Sequence, residues 1–403
     1  MQNKNRKQLD ARTIQRSVRA FFKTDFGIAL LITLAWQLIL TAMGYIIDLS
    51  TVNSNASLLG HTSRWDAGWY LNIINSAYID TSPAAPAFYP LYPVLVQFIH
   101  FLFFGSIGLL ASSFILNTIA IWLAITALVK ITRIFVKSTN IPWLIVALLL
   151  ASPAAFFMHM FYGEAVFLAL GFWSYLFALQ RKWKYTAVLL MFALTARLPA
   201  VTFIALCGLE YLRAHRWNIK KAVFNKTTLW FLLVPIGLIS YSLYLHFATG
   251  DFLAMSHAYT ATDDWTYYKF TPNILSTLFD SASDLYHNYI NNGIRAHDIV
   301  NLMLPLSSLA ILLAASLYAL FRIKGQGIPL GIFGIISFVM FTINGHIVSV
   351  HRYILPCIVI YIVAAVIIEK HKGAVALLYP VLYASVLIQA LIMFFFIQHI
   401  FAG

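Results

Sequence analysis

Apolar residues in this chain come in long unbroken runs, separated by short polar intervals, and they do not alternate with polar positions as strand residues would. The runs lie at about 26 to 47, 107 to 129, 142 to 160, 163 to 180, 184 to 196, 198 to 212, 228 to 248, 298 to 321, 328 to 344, 352 to 369 and 374 to 398. An α-helix needs roughly 20 apolar residues to cross a bilayer. The pattern therefore predicts an all-α polytopic membrane protein with about eleven transmembrane helices, two of them short, in a single membrane domain over residues 1–403. The first apolar run is too long for a signal-peptide core and reads as an uncleaved helix.

One further apolar stretch, 88 to 104, is expected not to cross. Pro90 and Pro93 lack amide protons and disfavour a regular helix start there. A crossing would also place Lys130, Arg133 and Lys137 outside, against the usual retention of positive charge on the inner side. It reads as a re-entrant or juxtamembrane element. Two outer loops, 48–106 and 249–297, are long enough to build a site. In the first, Trp65, Trp69, Ile73 and Ala77 recur at helical spacing between Arg64 and Tyr78, with Tyr70 and Ile74 beside them, which predicts an amphipathic helix lying in the interface.

Composition agrees with this class: 61% of residues are hydrophobic and 10% charged, against about a quarter charged in soluble domains. Cys207 and Cys357 both sit inside apolar runs, so no disulfide framework is available. The net charge of +13 changes the picture only through its placement. With a basic cytoplasmic N-terminus at 1–25, the inner segments hold 22 of the 27 lysines and arginines, leaving Arg64, Arg197, Lys269, Arg295 and Arg352 outside with ten of the 14 acids. The basic excess is a topology signal, with attraction to anionic inner-leaflet lipid, and does not indicate nucleic acid.

Four polar clusters interrupt the outer ends of the runs. SRWDAGWY, residues 63 to 70, combines Arg64, Trp65 and Asp66. Its aromatics have an ordinary explanation as interface anchors, whereas a carboxylate gains nothing beside anionic lipid. FYGEAVF places Glu164 at the start of a span; a dipole-favoured helix cap explains it as well as a buried partner does. A charge carried to mid-bilayer would cost about 2.5 to 3.5 kcal/mol. LTARLPAV divides an apolar stretch at Arg197 and Pro199 into two half-length helices, with snorkelling to headgroups as the plain alternative. GHIVSVHRYILP carries His351, Arg352 and Tyr353.

The topology gathers Asp66, Glu164, Arg197 and Arg352 on one face, a set suited to group transfer from a lipid phosphate. A carboxylate takes a proton from an acceptor hydroxyl while guanidinium groups stabilise the departing phosphate. The outer histidines His61, His257, His287, His297, His346 and His351 show no metal-ligand spacing, so no cofactor is expected; Asp263 and Asp264 are the residues that could join a divalent cation.

SRWDA, AFYPLYP with Tyr89, SPAAFF, FYGEAVF with Tyr162, the Arg197 element and HRY occur in an order that resembles the PIG-V type of GPI mannosyltransferase, glycosyltransferase family 76 of the GT-C superfamily. The likeness spans about residues 60 to 200 and extends more weakly to 356. It implies a GT-C-like, inverting enzyme that moves a sugar, mannose by the family's name, from a polyprenyl-phosphate-linked donor to a lipid or glycan acceptor on the non-cytoplasmic face. Asp66 would be the base, with Arg64, Trp65, Tyr89, Tyr162, Glu164, Arg197, His351, Arg352 and Tyr353 binding substrates. The chain departs from the eukaryotic pattern before the aromatic-proline motif, where it has Asp80 without a following histidine, and after Arg197, where Leu198 and Pro199 stand. Both differences fall on the acceptor side and favour a bacterial-type relative in the plasma membrane over an endoplasmic-reticulum enzyme. The competing classes are a transporter of a lipid-linked glycan, since a cationic cleft also suits a pyrophosphate headgroup, and a polymerase or ligase that moves a whole glycan.

Overall fold

The computed structural model describes residues 20–51, 56–260, 271–293, 295–343 and 345–400. Asp263, Asp264, Lys269 and residues 1–19 of the basic N-terminus lie outside them. The described residues form helices joined by turns, with no strand among them. In chain order the principal helices are α1 (Asp25–Thr51), α2 (Ala67–Ser76), α3 (Leu91–Leu102), α4 (Leu109–Phe135), α5 (Ile141–Ala151), α6 (Glu164–Leu179), α7 (Trp183–Ala196) and α8 (Ala200–Ala214). They continue with α9 (Val234–Thr249), α10 (Ile274–Asn292), α11 (Leu304–Arg322), α12 (Gly327–Thr342), α13 (Val350–Tyr353), α14 (Ile358–Lys370) and α15 (Ala374–Ile397).

Among the described residues five helical segments are long and apolar enough to cross a membrane: Asp25–Thr51, Leu109–Phe135, Lys226–Thr249, Ala296–Arg322 and Ala374–Ile397. Their outward faces carry large exposed apolar side chains such as Leu38, Ile39, Phe247, Phe321 and Leu377. Patches of that kind are unfavourable in water and compatible with an integral membrane protein. α3, α5, α6, α7 and α12 are apolar but shorter, between 10 and 17 residues.

The expected run at 142–160 is divided. α5 ends at Ala151 because Pro153 removes an amide and restricts the preceding residue, and a 3-10 turn over Ala155–Met158 leads to Glu164. Likewise the expected helix at 352–369 begins only at Ile358, after Pro356 and the short α13. The prolines at 90 and 93 do not prevent a helix: Pro90 is the N-cap of α3 and Pro93 lies in its first turn, where the missing amide would have had no partner. At twelve residues α3 is about 18 Å long by the rise of 1.5 Å per residue.

The expected interfacial helix is shorter and turned. α2 starts at Ala67, so Arg64, Trp65 and Asp66 form the turn that feeds it, with Trp65 at φ 53°. Its buried stripe is Ala67, Tyr70 and Ile73, whereas the predicted one was Trp65, Trp69, Ile73 and Ala77 with Tyr70 and Ile74 beside them, so Ile73 and Tyr70 are common to both. Trp69 stacks on Phe88 at 5.4 Å, and the Trp65 indole donates to the carbonyl of Phe396 at 3.2 Å. The aromatics thus bind protein, which shifts the stripe by a fraction of a turn.

Behind α2 lies a tight core. α4 packs on α6, α6 on α7 and α8, and α11 on α12. Gly171 permits the close approach of α6 and α8, since a Cβ there would sit 2.5 Å from the Phe203 ring. α6 begins with Glu164 and α8 begins three residues after Arg197, so this contact helps fix two of the predicted site residues.

Candidate active site

The breaks in the apolar runs carry the charges. Glu164 is the first residue of α6, where the helix dipole favours an anion. Arg197 is the extended residue between α7 and α8, at φ −161° and ψ 146°, and Pro199 keeps that link from closing into one helix. Arg352 lies in the single turn of α13, between Ser349 in the left-handed region and Pro356. Asp66 caps α2.

These four side chains join in one row of alternating charge. Arg352 Nη2 donates to Asp66 Oδ2 at 2.9 Å, and Arg352 Nε is 3.0 Å from Glu164 Oε1. The same Glu164 oxygen accepts from Arg197 Nη1, while Glu164 Oε2 is buried without a hydrogen-bond partner. Two carboxylates and two guanidiniums cancel, as buried charges must if their desolvation is to be offset. The row is graded in exposure: 6% for the Arg352 side chain and 7% for Glu164, against 28% for Asp66. Asp66 is its open end.

Aromatic rings complete the setting. The Arg352 guanidinium lies 5.1 Å from the Phe157 ring centre and 5.4 Å from those of Tyr162 and Tyr353. Arg197 lies 5.5 Å from the same Tyr353 ring, so one tyrosine faces both cations. The Tyr162 hydroxyl accepts from the Asp66 amide at 3.0 Å and donates to the Arg64 carbonyl at 3.1 Å, locking the turn that holds Asp66. Burial raises the Tyr162 phenol well above its ordinary pKa and keeps it a donor. The cavity beside Glu164, Arg197, Arg352 and Tyr353 is about 10 Å³, room for about one water.

Of the sequence-predicted residues, Asp66, Tyr162, Glu164, Arg197, Arg352 and Tyr353 meet here. Trp65 stands next to the cluster but is tied to Phe396, and His351 is buried beside Arg352 in α13. Arg64 turns to Asp48, with Nη2 to Oδ1 at 2.6 Å. Tyr89 is elsewhere, in a second apolar cluster with Tyr78 and Tyr241, its hydroxyl 3.8 Å from the Met255 sulfur.

Sequence reading passed over Asp48 and Phe157. Asp48 was visible as an acid at the end of an apolar run, and Phe157 carried no signal beyond its neighbours. It also missed a buried row in which Gln37 bonds His159 and His159 Nε2 meets His61 Nε2 at 3.1 Å. Burial lowers His61 to about 4, so it is neutral at physiological pH. Among the described residues no group of three or more His, Cys, Asp or Glu is placed to hold a metal ion.

No protein-family model matches the chain, and no curated protein is similar enough to count as a match.

Proposed function

We propose that this chain is an inverting glycosyltransferase of GT-C type, set in a membrane by about eleven helices, that moves a sugar from a polyprenyl-phosphate donor to a lipid or glycan acceptor on the non-cytoplasmic face. The observation that carries the reading is the continuous row Asp66, Arg352, Glu164, Arg197, drawn from four segments far apart in sequence and ending at an accessible carboxylate. The order of motifs resembling glycosyltransferase family 76 supports it, and mannose as the sugar comes from that resemblance alone.

In the proposed reaction the acceptor hydroxyl gives its proton to the Asp66 carboxylate, and its oxygen forms the new bond to the anomeric carbon from the face opposite the phosphate. The bond from that carbon to the phosphate oxygen breaks, and the electron pair leaves with the lipid phosphate. A phosphate needs no proton to depart, so one base suffices, in contrast to glycoside hydrolysis with its acid and base pair. Arg352 and Arg197 stabilise the leaving charge. Both guanidiniums already hold carboxylates and the space beside them takes about one water, so in this reading the donor phosphate takes the place of one carboxylate. Exchange at Arg352 releases Asp66 as it binds the donor, which couples donor binding to exposure of the base.

The test is Asp66→Asn with two readouts, sugar transfer and binding of a polyprenyl-phosphate sugar. Transfer is expected to fall by at least about a hundredfold, the lower end of what general-base catalysis contributes, while donor binding persists. Normal transfer by the variant would remove Asp66 as the base. Undiminished movement of a lipid-linked glycan across a vesicle membrane, with no transfer by either protein, would make the chain a transporter.

A further inference from the structure

A second concavity lies at the other end of α2. It is about 390 Å³, within the range of roughly 300 to 1,000 Å³ typical of small-molecule sites, and it opens between segments 78–86 and 248–257. Asp80, Asp251, His257 and Thr81 contribute polar groups, and Tyr78 and Pro86 contribute apolar surface. No lysine or arginine lines it among the described residues.

The geometry points to this cleft as the binding site of a neutral, hydroxyl-rich chain, the glycan portion of the acceptor, in the transfer proposed above and resting on that reading. Charge selects the ligand class. Asp80 and Asp251, with no lysine or arginine beside them among the described residues, disfavour phosphates and carboxylates, whereas carboxylate oxygens accept strongly from hydroxyl groups, and the Thr81 and Ser82 hydroxyls both donate and accept. Asp251 is held as an acceptor: His257 Nδ1 lies 2.6 Å from Oδ2 and the Leu253 amide donates to Oδ1 at 2.9 Å, leaving a further lone pair on each oxygen. The two sites therefore divide the substrates, the arginine row taking the phosphate end of the donor and the cleft taking hydroxyls.

The walls are rigid, which favours a site over an incidental groove. The Tyr78 hydroxyl donates to the Phe88 carbonyl at 2.6 Å and closes the 77–88 segment on itself, while those of Tyr241 and Tyr244 donate to the carbonyls of Pro86 and Ala77, both at 2.8 Å, and pin the segment to α9. Ala77, Tyr78 and Asp80 take φ values of 51°, 66° and 51°, a left-handed stretch of non-glycine residues that persists only where its surroundings hold it. α2 joins Asp66 to this stretch across ten residues, about 15 Å at 1.5 Å per residue. An acceptor whose far units rest against Asp80 and Asp251 can reach Asp66 with its terminal hydroxyl.

The test uses the full chain in detergent and saturation-transfer NMR with three neutral probes, mannotetraose, maltotetraose and chitotetraose, together with ethanolamine and undecaprenyl phosphate. At least one tetrasaccharide is expected to bind to wild type and to Asp66→Asn alike, and to bind at least about tenfold more weakly to Asp80→Ala/Asp251→Ala, the change expected for loss of one hydrogen bond to a charged group. Ser82→Cys, blocked by a bulky maleimide only after folding, should lose the tetrasaccharide and keep undecaprenyl phosphate. Binding of no tetrasaccharide to wild type, equal binding by the blocked protein, or binding of ethanolamine alone would overturn the assignment. Tetrasaccharide binding at the cleft without any binding of undecaprenyl phosphate would leave the cleft standing and remove the transferase reading.

Discussion

The arginine row and the cleft stand at opposite ends of one ten-residue helix and handle charge in opposite ways. In the row, each guanidinium is matched to a carboxylate, three of the four residues are nearly shut off from solvent, and the space left is that of about one water. In the cleft, two carboxylates face an open volume of about 390 Å³ with a histidine as their basic neighbour. The difference follows from desolvation. Charges packed among Phe157, Phe167 and Tyr353 are tolerable only when paired, so the row closes on itself; charges at a wet surface need no partner and leave room. A site of the first kind is ready but occupied by its own side chains, and a ligand enters by exchange. A site of the second kind has room of its own, and a ligand enters by addition.

The sharpest way to break this contrast is to remove the carboxylate that both arginines share. Glu164→Gln keeps the shape of the side chain and leaves Arg197 beside Arg352 with no charge between them. Breaking a buried pair in this way costs about 3 to 5 kcal/mol, and the exposure of Arg197 at 15% puts the expected loss near the lower figure. Unfolding in mixed detergent micelles should report it as a large drop in midpoint. The double variant Glu164→Gln/Arg197→Gln should recover part of the loss, because the stranded charge is gone as well. An unchanged midpoint for the single variant would mean that the row is solvated and that its closure has another cause.

A smaller effect is expected at the turn that joins the two regions. Tyr162→Phe deletes one hydroxyl that serves the Asp66 amide and the Arg64 carbonyl at once. The Arg64 carbonyl keeps the Ala67 amide as a donor, so the loss is that of the part-buried Asp66 amide, about 1 kcal/mol. The consequence for transfer should be a reduced turnover with little change in donor binding, since the arginines keep their places. Donor affinity falling as steeply as turnover would instead place Tyr162 against the donor itself.

How much of this was legible beforehand depended on whether the signal lay along the chain or across it. The all-helical character, the break at Arg197 and Pro199, and the start of α6 at Glu164 were written in local patterns of hydropathy and proline. The face of α2 was misread because Trp65 and Trp69 looked like lipid anchors; their partners, the Phe396 carbonyl and the Phe88 ring, come from 331 residues away in one case and across a loop in the other. Helix ends were misplaced where proline acts on its neighbour, at Pro153 and Pro356. Arg64 and Arg352 looked equivalent in sequence, and only tertiary placement sends the first to Asp48 and the second to Asp66 and Glu164. The two outer loops that line the cleft were visible as long polar intervals, but nothing along the chain pairs Asp80 with Asp251, which seven of the helices separate.

The mildest perturbation lies in the cleft and sharpens the comparison from its open side. The hydrogen bond from His257, with a second from the Leu253 amide, holds the Asp251 carboxyl below the ordinary carboxylate range. A carboxyl depressed in the folded state adds stability above its ordinary pKa, and that contribution disappears as pH falls through the folded value. Here the group faces solvent, so the effect belongs to the titration and not to the unfolding midpoint. His257→Ala should move the Asp251 carboxyl resonance, followed by carbon NMR in acid titration, back up toward the ordinary range while the midpoint stays at the wild-type value. Unlike Glu164→Gln, it strands no buried charge. If His257→Ala lowered the midpoint as Glu164→Gln is expected to, the Asp251 pair would be shielded in the same manner as the row, and the cleft would be a closed site too.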